Sequence, residues 1–293
     1  VSDVAGNPML QIKAPRPSAL SGLVSRHLQQ RIASSVVMMA VSVGLLCAGP
    51  FWFTLLVIAV TLVLCWEWGH LVRGTGADVG FLVHAGSVAS AIALAASGLP
   101  LPALILLLVG VALLASGACG SHPFLSAAGV MYAGAAAVAL VTLRGDPALG
   151  LLAVLFLFLV VWTNDIMAFV CGRAIGGPKL WPAISPNKTW AGFIGGVVSS
   201  ALAGAVFAMT VAGASPLRLA VIAAALGAVA LGGDLAESAL KRRFGVKDAS
   251  DIIPGHGGVM DRMDGIVAVA VVAAVLGALA DGRSLAAALL IGG

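Results

Sequence analysis

Leu149-Gly-Leu-Leu-Ala-Val-Leu-Phe-Leu-Phe-Leu-Val-Val-Trp-Thr-Asn164-Asp165-Ile-Met-Ala-Phe-Val-Cys171 is an apolar run that contains one charged side chain, Asp165. A helix rises about 1.5 Å per residue, so a run of this length covers the roughly 30 Å hydrocarbon layer of a bilayer. Lipid offers the backbone no hydrogen-bond partners, which leaves helix as the conformation for such a segment. Eight further apolar segments surround it, at 33–48, 51–68, 81–98, 101–118, 124–143, 192–213, 217–236 and 265–280. A last stretch, 284–292, is too short to span. The composition agrees: 60% of the 293 residues are hydrophobic and only 10% are charged, against about 25% charged in a soluble domain. The expected fold is all-α, a polytopic membrane helical bundle of about nine transmembrane helices. The first two segments meet at Gly49-Pro50 with almost no loop, so a hairpin that does not fully cross is the alternative there.

The cations give the orientation. With each segment crossing and the N-terminus in the cytoplasm, thirteen Lys and Arg fall on the cytoplasmic side. Arg144, Arg218 and Arg283 fall on the other. That asymmetry is the positive-inside pattern. Three regions are expected: a polar tail over 1–31, a membrane scaffold over 32–160, and a chemically rich membrane domain over 161–293. The tail carries Pro8, Pro15 and Pro17 and does not read as a cleavable signal peptide. The third region contains two cytoplasmic loops, 172–191 and 237–264, which hold eight of the sixteen cations. Cys47, Cys65, Cys119 and Cys171 sit in or beside apolar runs without CxxC spacing and read as small core residues.

Chemistry concentrates in the second loop. Asp234, Glu237, Ser238 and Lys241 are spaced i, i+3, i+4, i+7 and share one helical face. Ionisable groups where a membrane helix meets water point to function. Pro254, Gly255, Gly257 and Gly258 surround His256 and suit a turn whose backbone approaches a ligand. Asp261 and Asp264 follow on one face of the last long helix, near its N-terminus. Paired carboxylates beside phosphate-binding cations suit Mg²⁺, which keeps waters and accepts phosphate oxygens. In the first loop, Ser185, Lys188 and Thr189 can hold phosphate, although GxxxxGK[ST] is absent. Asp165 has a helix–helix hydrogen bond as its alternative. Glu67, between Trp66 and Trp68, reads as a membrane-boundary residue flanked by aromatic anchors.

From Ser238 to Asp264 the chain resembles the signature of phosphatidate cytidylyltransferases, S-x-[apolar]-K-R-x4-K-D followed by H-G-G-[apolar]-x-D-R-[apolar]-D, with every fixed position met. Ser185-Pro-x-Lys188-Thr189-Trp190 and the Asp165…Gly172-Arg173 arrangement resemble the same family. Phe169 and Ala191 depart from it, where Tyr and Glu are frequent. The resemblance implies that CTP and phosphatidate become CDP-diacylglycerol and pyrophosphate. It implies Asp234, Lys241, Asp261 and Asp264 as catalytic residues, with Asp234, Asp261 and Asp264 holding Mg²⁺. Substrate contacts are then expected from Asp165, Ser185, Lys188, Thr189, Ser238, Arg242, Lys247, His256, Gly257, Gly258 and Arg262. A second, monovalent cation is implied by the resemblance and is not readable from spacing. So are a homodimer, surrounding membrane lipids and no nucleic-acid partner. The expected location is a bacterial inner membrane with the active site facing the cytoplasm.

Two other classes are disfavoured. A CDP-alcohol phosphotransferase needs DGxxAR, and Asp264-Gly265 is followed only by apolar residues. A transporter predicts charges near mid-bilayer and repeat symmetry, whereas these charges crowd one face.

Overall fold

The computed structural model describes residues 18–253, 257–280 and 284–292, with side chains from residue 33 onward in the first of these. Ten α-helices follow one another: α1 Ser18–Ala48, α2 Pro50–Arg73, α3 Val79–Ala96, α4 Pro100–Ala115, α5 Pro123–Arg144, α6 Gly150–Ile175, α7 Trp190–Phe207, α8 Pro216–Arg243, α9 Met260–Leu279 and α10 Leu285–Leu290. Seven are long and apolar enough to cross a membrane, while Ala33–Ala48 and Pro100–Ala115 are apolar but shorter. All nine expected segments fall on helices: seven on helices long and apolar enough to cross, one on the apolar part of α1 from Ala33 to Ala48, and one on the shorter α4. α1 begins at Ser18, inside the region expected to be a polar tail.

Local chemistry explains the helix starts. Proline opens α2, α4, α5 and α8, where its fixed φ fits and its missing N–H costs nothing. Asp78, Thr189, Ser215 and Ser284 accept a first-turn N–H at the starts of α3, α7, α8 and α10. Between α6 and α7 the first expected loop contains a small hairpin: β1 Lys179–Trp181 pairs antiparallel with β2 Ser185–Thr189, Lys179 opposite Thr189. The second expected loop is narrower than its sequence reading, because α8 continues to Arg243 and α9 starts at Met260.

Side-chain contacts identify the two ends of the bundle. At one end, Arg144 closing α5 donates to the Leu46 carbonyl near the end of α1, at 3.0 and 3.2 Å. Arg218 at the start of α8 donates to the Ala288 carbonyl of α10, and Ser284 donates to Asp146. At the other end, α2 closes on the start of α9 through Glu67, and Lys188 before α7 meets Asp234 near the end of α8. Helix α7 leaves Ile194, Val198, Leu202 and Val206 exposed at four-residue spacing, a stripe suited to lipid contact. Its other face packs against α8 at Gly204, where a Cβ would stand 2.5 Å from the Leu219 carbonyl oxygen. Such close backbone approach replaces the hydrophobic driving force that lipid removes.

Candidate active site

The ends of α6 and α8, the β1–β2 hairpin and the start of α9 enclose a cavity of about 1010 Å³. Twelve of the fifteen expected catalytic and substrate-contact residues line it, and so does Glu237 from the Asp234 face. Asp165 comes from α6, Ser185, Lys188 and Thr189 from the hairpin, and Asp234, Ser238, Lys241 and Arg242 from α8. Lys247 lies beyond α8, and Asp261, Arg262 and Asp264 open α9. Arg173 and Lys179 add two cations that the sequence reading left outside the site. Residues spread over a hundred positions thus reach one chamber because the C-terminal parts of α6 and α8 and the starts of α7 and α9 meet around it.

The carboxylates sort into two groups. Asp234, Glu237 and Asp264 bring oxygens within 4.8 Å of one another. Three like charges at that spacing repel unless a cation sits among them. Hard carboxylate oxygens in an open, polar chamber fit Mg²⁺, which takes few protein ligands and keeps room for water and phosphate. Lys188 pairs with Asp234, and Lys241 stands 3.1 Å from Glu237. Asp261 belongs elsewhere. Its Oδ1 accepts from Lys241, and its Oδ2 accepts from the N–H groups of Ala249 and Gly258 at 2.9 and 2.8 Å. The geometric cluster thus differs in one member from the expected metal set of Asp234, Asp261 and Asp264: Glu237 stands with Asp234 and Asp264, while both Asp261 oxygens accept from protein donors. Glu237 is legible in the sequence as a member of the Asp234 face, whereas the i, i+3 spacing of Asp261 and Asp264 does not show which partners each acid meets.

Other residues hold less direct positions. The Thr189 hydroxyl accepts from Gly192 N–H at 3.1 Å and so caps α7 while bordering the cavity. Ser238 donates to Asp234 at 3.3 Å, and Arg242 donates to the Val246 carbonyl at 3.2 Å. Gly257 and Gly258 stand behind the cavity rather than in its wall. Gly257 adopts φ of 79°, a region that glycine enters without strain. The Gly258 N–H serves Asp261. His256 lies outside the described residues. Glu67 is wholly buried and binds the start of α9, which replaces its reading as a boundary residue. Trp68, expected as an aromatic anchor, is also buried and donates to the Leu125 carbonyl at 2.8 Å.

The model of the cytidylyltransferase family matches residues 29–280. The chain belongs to the cytidylyltransferase family. Among curated members, the phosphatidate cytidylyltransferases of Brucella abortus biovar 1 and Brucella suis biovar 1 are each 40% identical over 254 residues, covering 86% of this chain and 94% of theirs. The phosphatidate cytidylyltransferase of Staphylococcus saprophyticus is 48% identical over 116 residues, 39% of this chain and 45% of its own. Family membership agrees with the resemblance carried by Ser238–Asp264, and the matched region includes every cavity-lining residue named above.

Proposed function

We propose that this chain is a phosphatidate cytidylyltransferase, joining CTP to phosphatidate to give CDP-diacylglycerol and pyrophosphate. One observation carries the reading. A three-carboxylate cluster and seven cations share a single chamber at one end of an apolar helical bundle. Near neutral pH a nucleoside triphosphate carries about four negative charges and a phosphomonoester lipid between one and two. Bringing them together requires neutralisation and alignment, the two contributions that dominate phosphoryl-type transfer.

The chain's residues divide that work. Lys179, Lys188, Lys247 and Arg262 offer positive charge along the cavity wall, and Ser185 offers a hydroxyl to phosphate oxygen. The lipid headgroup enters where the helix ends leave the bilayer, and its acyl chains stay among apolar side chains. A phosphatidate oxygen then attacks the α-phosphorus of CTP in line. A new P–O bond forms, the α–β phosphoanhydride breaks, and pyrophosphate carries away the electron pair. The lipid phosphate is already an anionic nucleophile, so no covalent enzyme intermediate is required. Asp234, Glu237 and Asp264 would hold Mg²⁺, which when bound draws charge from the nucleotide phosphates. Lys188 exchanges its Asp234 partner for phosphate as substrate arrives, and Asp165 faces the chamber from α6 to orient the nucleotide. The second, monovalent cation and the homodimer rest on the family resemblance. The charge asymmetry supports a chamber that opens to the cytoplasm, and the bacterial relatives support an inner-membrane location.

The test is direct. Purified protein in mixed micelles receives α-labelled CTP, phosphatidate and Mg²⁺. Label is expected in the lipid product, with pyrophosphate released in equal amount, and chelation should stop both. γ-Labelled CTP should leave the lipid unlabelled. Transfer of the γ label, or no turnover with all components present, would overturn the proposal.

A further inference from the structure

Glu67 lies on α2, in the half of the chain that carries no cavity residue. It is 0% exposed. Its Oε1 accepts from Val259 N–H at 2.8 Å and from the Ser250 hydroxyl, and its Oε2 accepts from Met260 N–H at 2.6 Å. Among the described residues α9 has no side-chain cap of its own, since Val259 occupies that position. The first N–H groups of a helix need outside acceptors, and a carboxylate suits the positive end of the helix dipole. Glu67 supplies that cap from 193 positions away.

The approach depends on Gly258. A Cβ there would stand 2.5 Å from Glu67 Oε1, too close for any other residue without displacement of the carboxylate. The Gly258 N–H meanwhile binds Asp261, which also holds Lys241. Glu67, Gly258, Asp261 and Lys241 thus form a continuous path from α2 to the end of α8. Asp264 follows Asp261 by one helical turn and faces Asp234 and Glu237. Any rotation or slip of α9's first turn would carry the Asp264 carboxylate away from that cluster.

We infer that Glu67 is a positioning residue of the active site, setting the depth and rotation of α9 so that Asp264 closes the three-carboxylate cluster. The inference deepens the proposed function and rests on it for its kinetic readout. It also makes the N-terminal helices part of the site rather than a passive scaffold.

The experiment compares wild type with Glu67→Gln and Ser250→Ala. The glutamine keeps the size, yet its amide nitrogen must face a donor that now carries a carboxylate oxygen opposite it. Four quantities are read: kcat, KM for CTP, the Mn²⁺ concentration giving half of the maximal thermal shift, and hydrogen exchange at Val259 and Met260. Mutating groups that orient metal ligands costs about 10–100-fold in activity or affinity. For Glu67→Gln, kcat should fall at least about tenfold and the Mn²⁺ midpoint should rise about tenfold. KM for CTP should stay within about threefold of wild type, and exchange at the two amides should quicken. Glu67→Asp, charged but one methylene short, should recover part of the loss. Ser250→Ala, which removes one donor and leaves α2 intact, should shift kcat and the Mn²⁺ midpoint in the same direction by a smaller factor. A folded Glu67→Gln protein with wild-type kcat and Mn²⁺ midpoint overturns the inference. So does a Glu67→Gln protein that fails to fold when Ser250→Ala matches wild type in both. An inactive wild type would sink the functional proposal instead, and the Mn²⁺ midpoints and exchange rates would still decide the role of Glu67.

Discussion

Asp261 and Asp264 are one helical turn apart and face different partners. Asp261 is satisfied within the protein by Lys241, Ala249 and Gly258. Asp264 accepts from its neighbour Gly265 N–H at 2.8 Å and otherwise faces two more carboxylates. Breaking a buried ion pair by removing one partner costs about 3–5 kcal/mol. Asp261→Asn keeps one acceptor, so its loss should lie near the lower end, about 3 kcal/mol, and appear as a lower unfolding temperature in detergent. Asp264→Asn removes a charge that repels its neighbours, so the fold should persist. Turnover should drop by about 10²–10³, the scale for removing an electrostatic element from an active site. Equal unfolding temperatures for the two variants, or near-wild-type turnover in Asp264→Asn, would contradict this division. Spacing alone showed that the two acids share a face. It could not show that Lys241 would arrive beside one of them, because that meeting is made by the packing of α8 on α9. Glu67 was hidden for the same reason: no local pattern around Trp66 and Trp68 announces a partner 193 positions away.

At the scale of single elements, the turn between α2 and α3 shows how a cation counted as a membrane-side marker can be a fixed structural part. Arg73 closes α2 with its side chain shielded from solvent, Nε 2.8 Å from Asp78 Oδ2 and a second guanidinium nitrogen 3.0 Å from Oδ1. Asp78 in turn accepts from Phe81 N–H at 2.7 Å and caps α3. Burial alone would raise the Asp78 pKa, but the Arg73 guanidinium and the Phe81 N–H outweigh it and hold the carboxyl below its ordinary value. A lowered folded pKa gives stability that is complete above the unfolded value, about 3.9, and is lost as pH falls through the folded one. The unfolding temperature of wild type should therefore fall on going from pH 5 to pH 3 by more than that of Asp78→Asn. Parallel slopes would exclude Arg73–Asp78 as the origin. The starts of α2 and α3 fall within two residues of the expected segments because hydrophobicity acts locally, whereas α2 runs to Arg73, past the expected end at 68, because its last turn carries the polar His70 and Arg73. The β1–β2 hairpin was not legible, since strands of three and five residues carry too little alternation to separate them from a loop.

Across the whole molecule, charge is divided between the two ends. At the end away from the cavity, the described arginines, Arg144 and Arg218, bond to backbone carbonyls. At the other end seven cations and six carboxylates among the described residues line one chamber. The one-sided placement was visible in the sequence. Its consequence for stability depends on the spacing of the acids, which only the assembled bundle provides. Asp234, Glu237 and Asp264 come within 4.8 Å of one another in the folded chain and lose that proximity when it unfolds. A divalent cation held by them binds the native state alone and should stabilise it by RT ln(1 + [L]/Kd), about 2.7 kcal/mol at a hundredfold excess over Kd. Mg²⁺ or Mn²⁺ should thus raise the unfolding temperature of wild type in detergent, and chelation should reverse the rise. In Asp264→Asn the metal-free protein should melt at or above the wild-type temperature, because one repulsive charge is gone, and added metal should move it little. The crossing of these two effects separates a metal site from a merely acidic patch. General screening by divalent salt would shift both proteins alike, and that outcome would remove the cluster as the cation's seat.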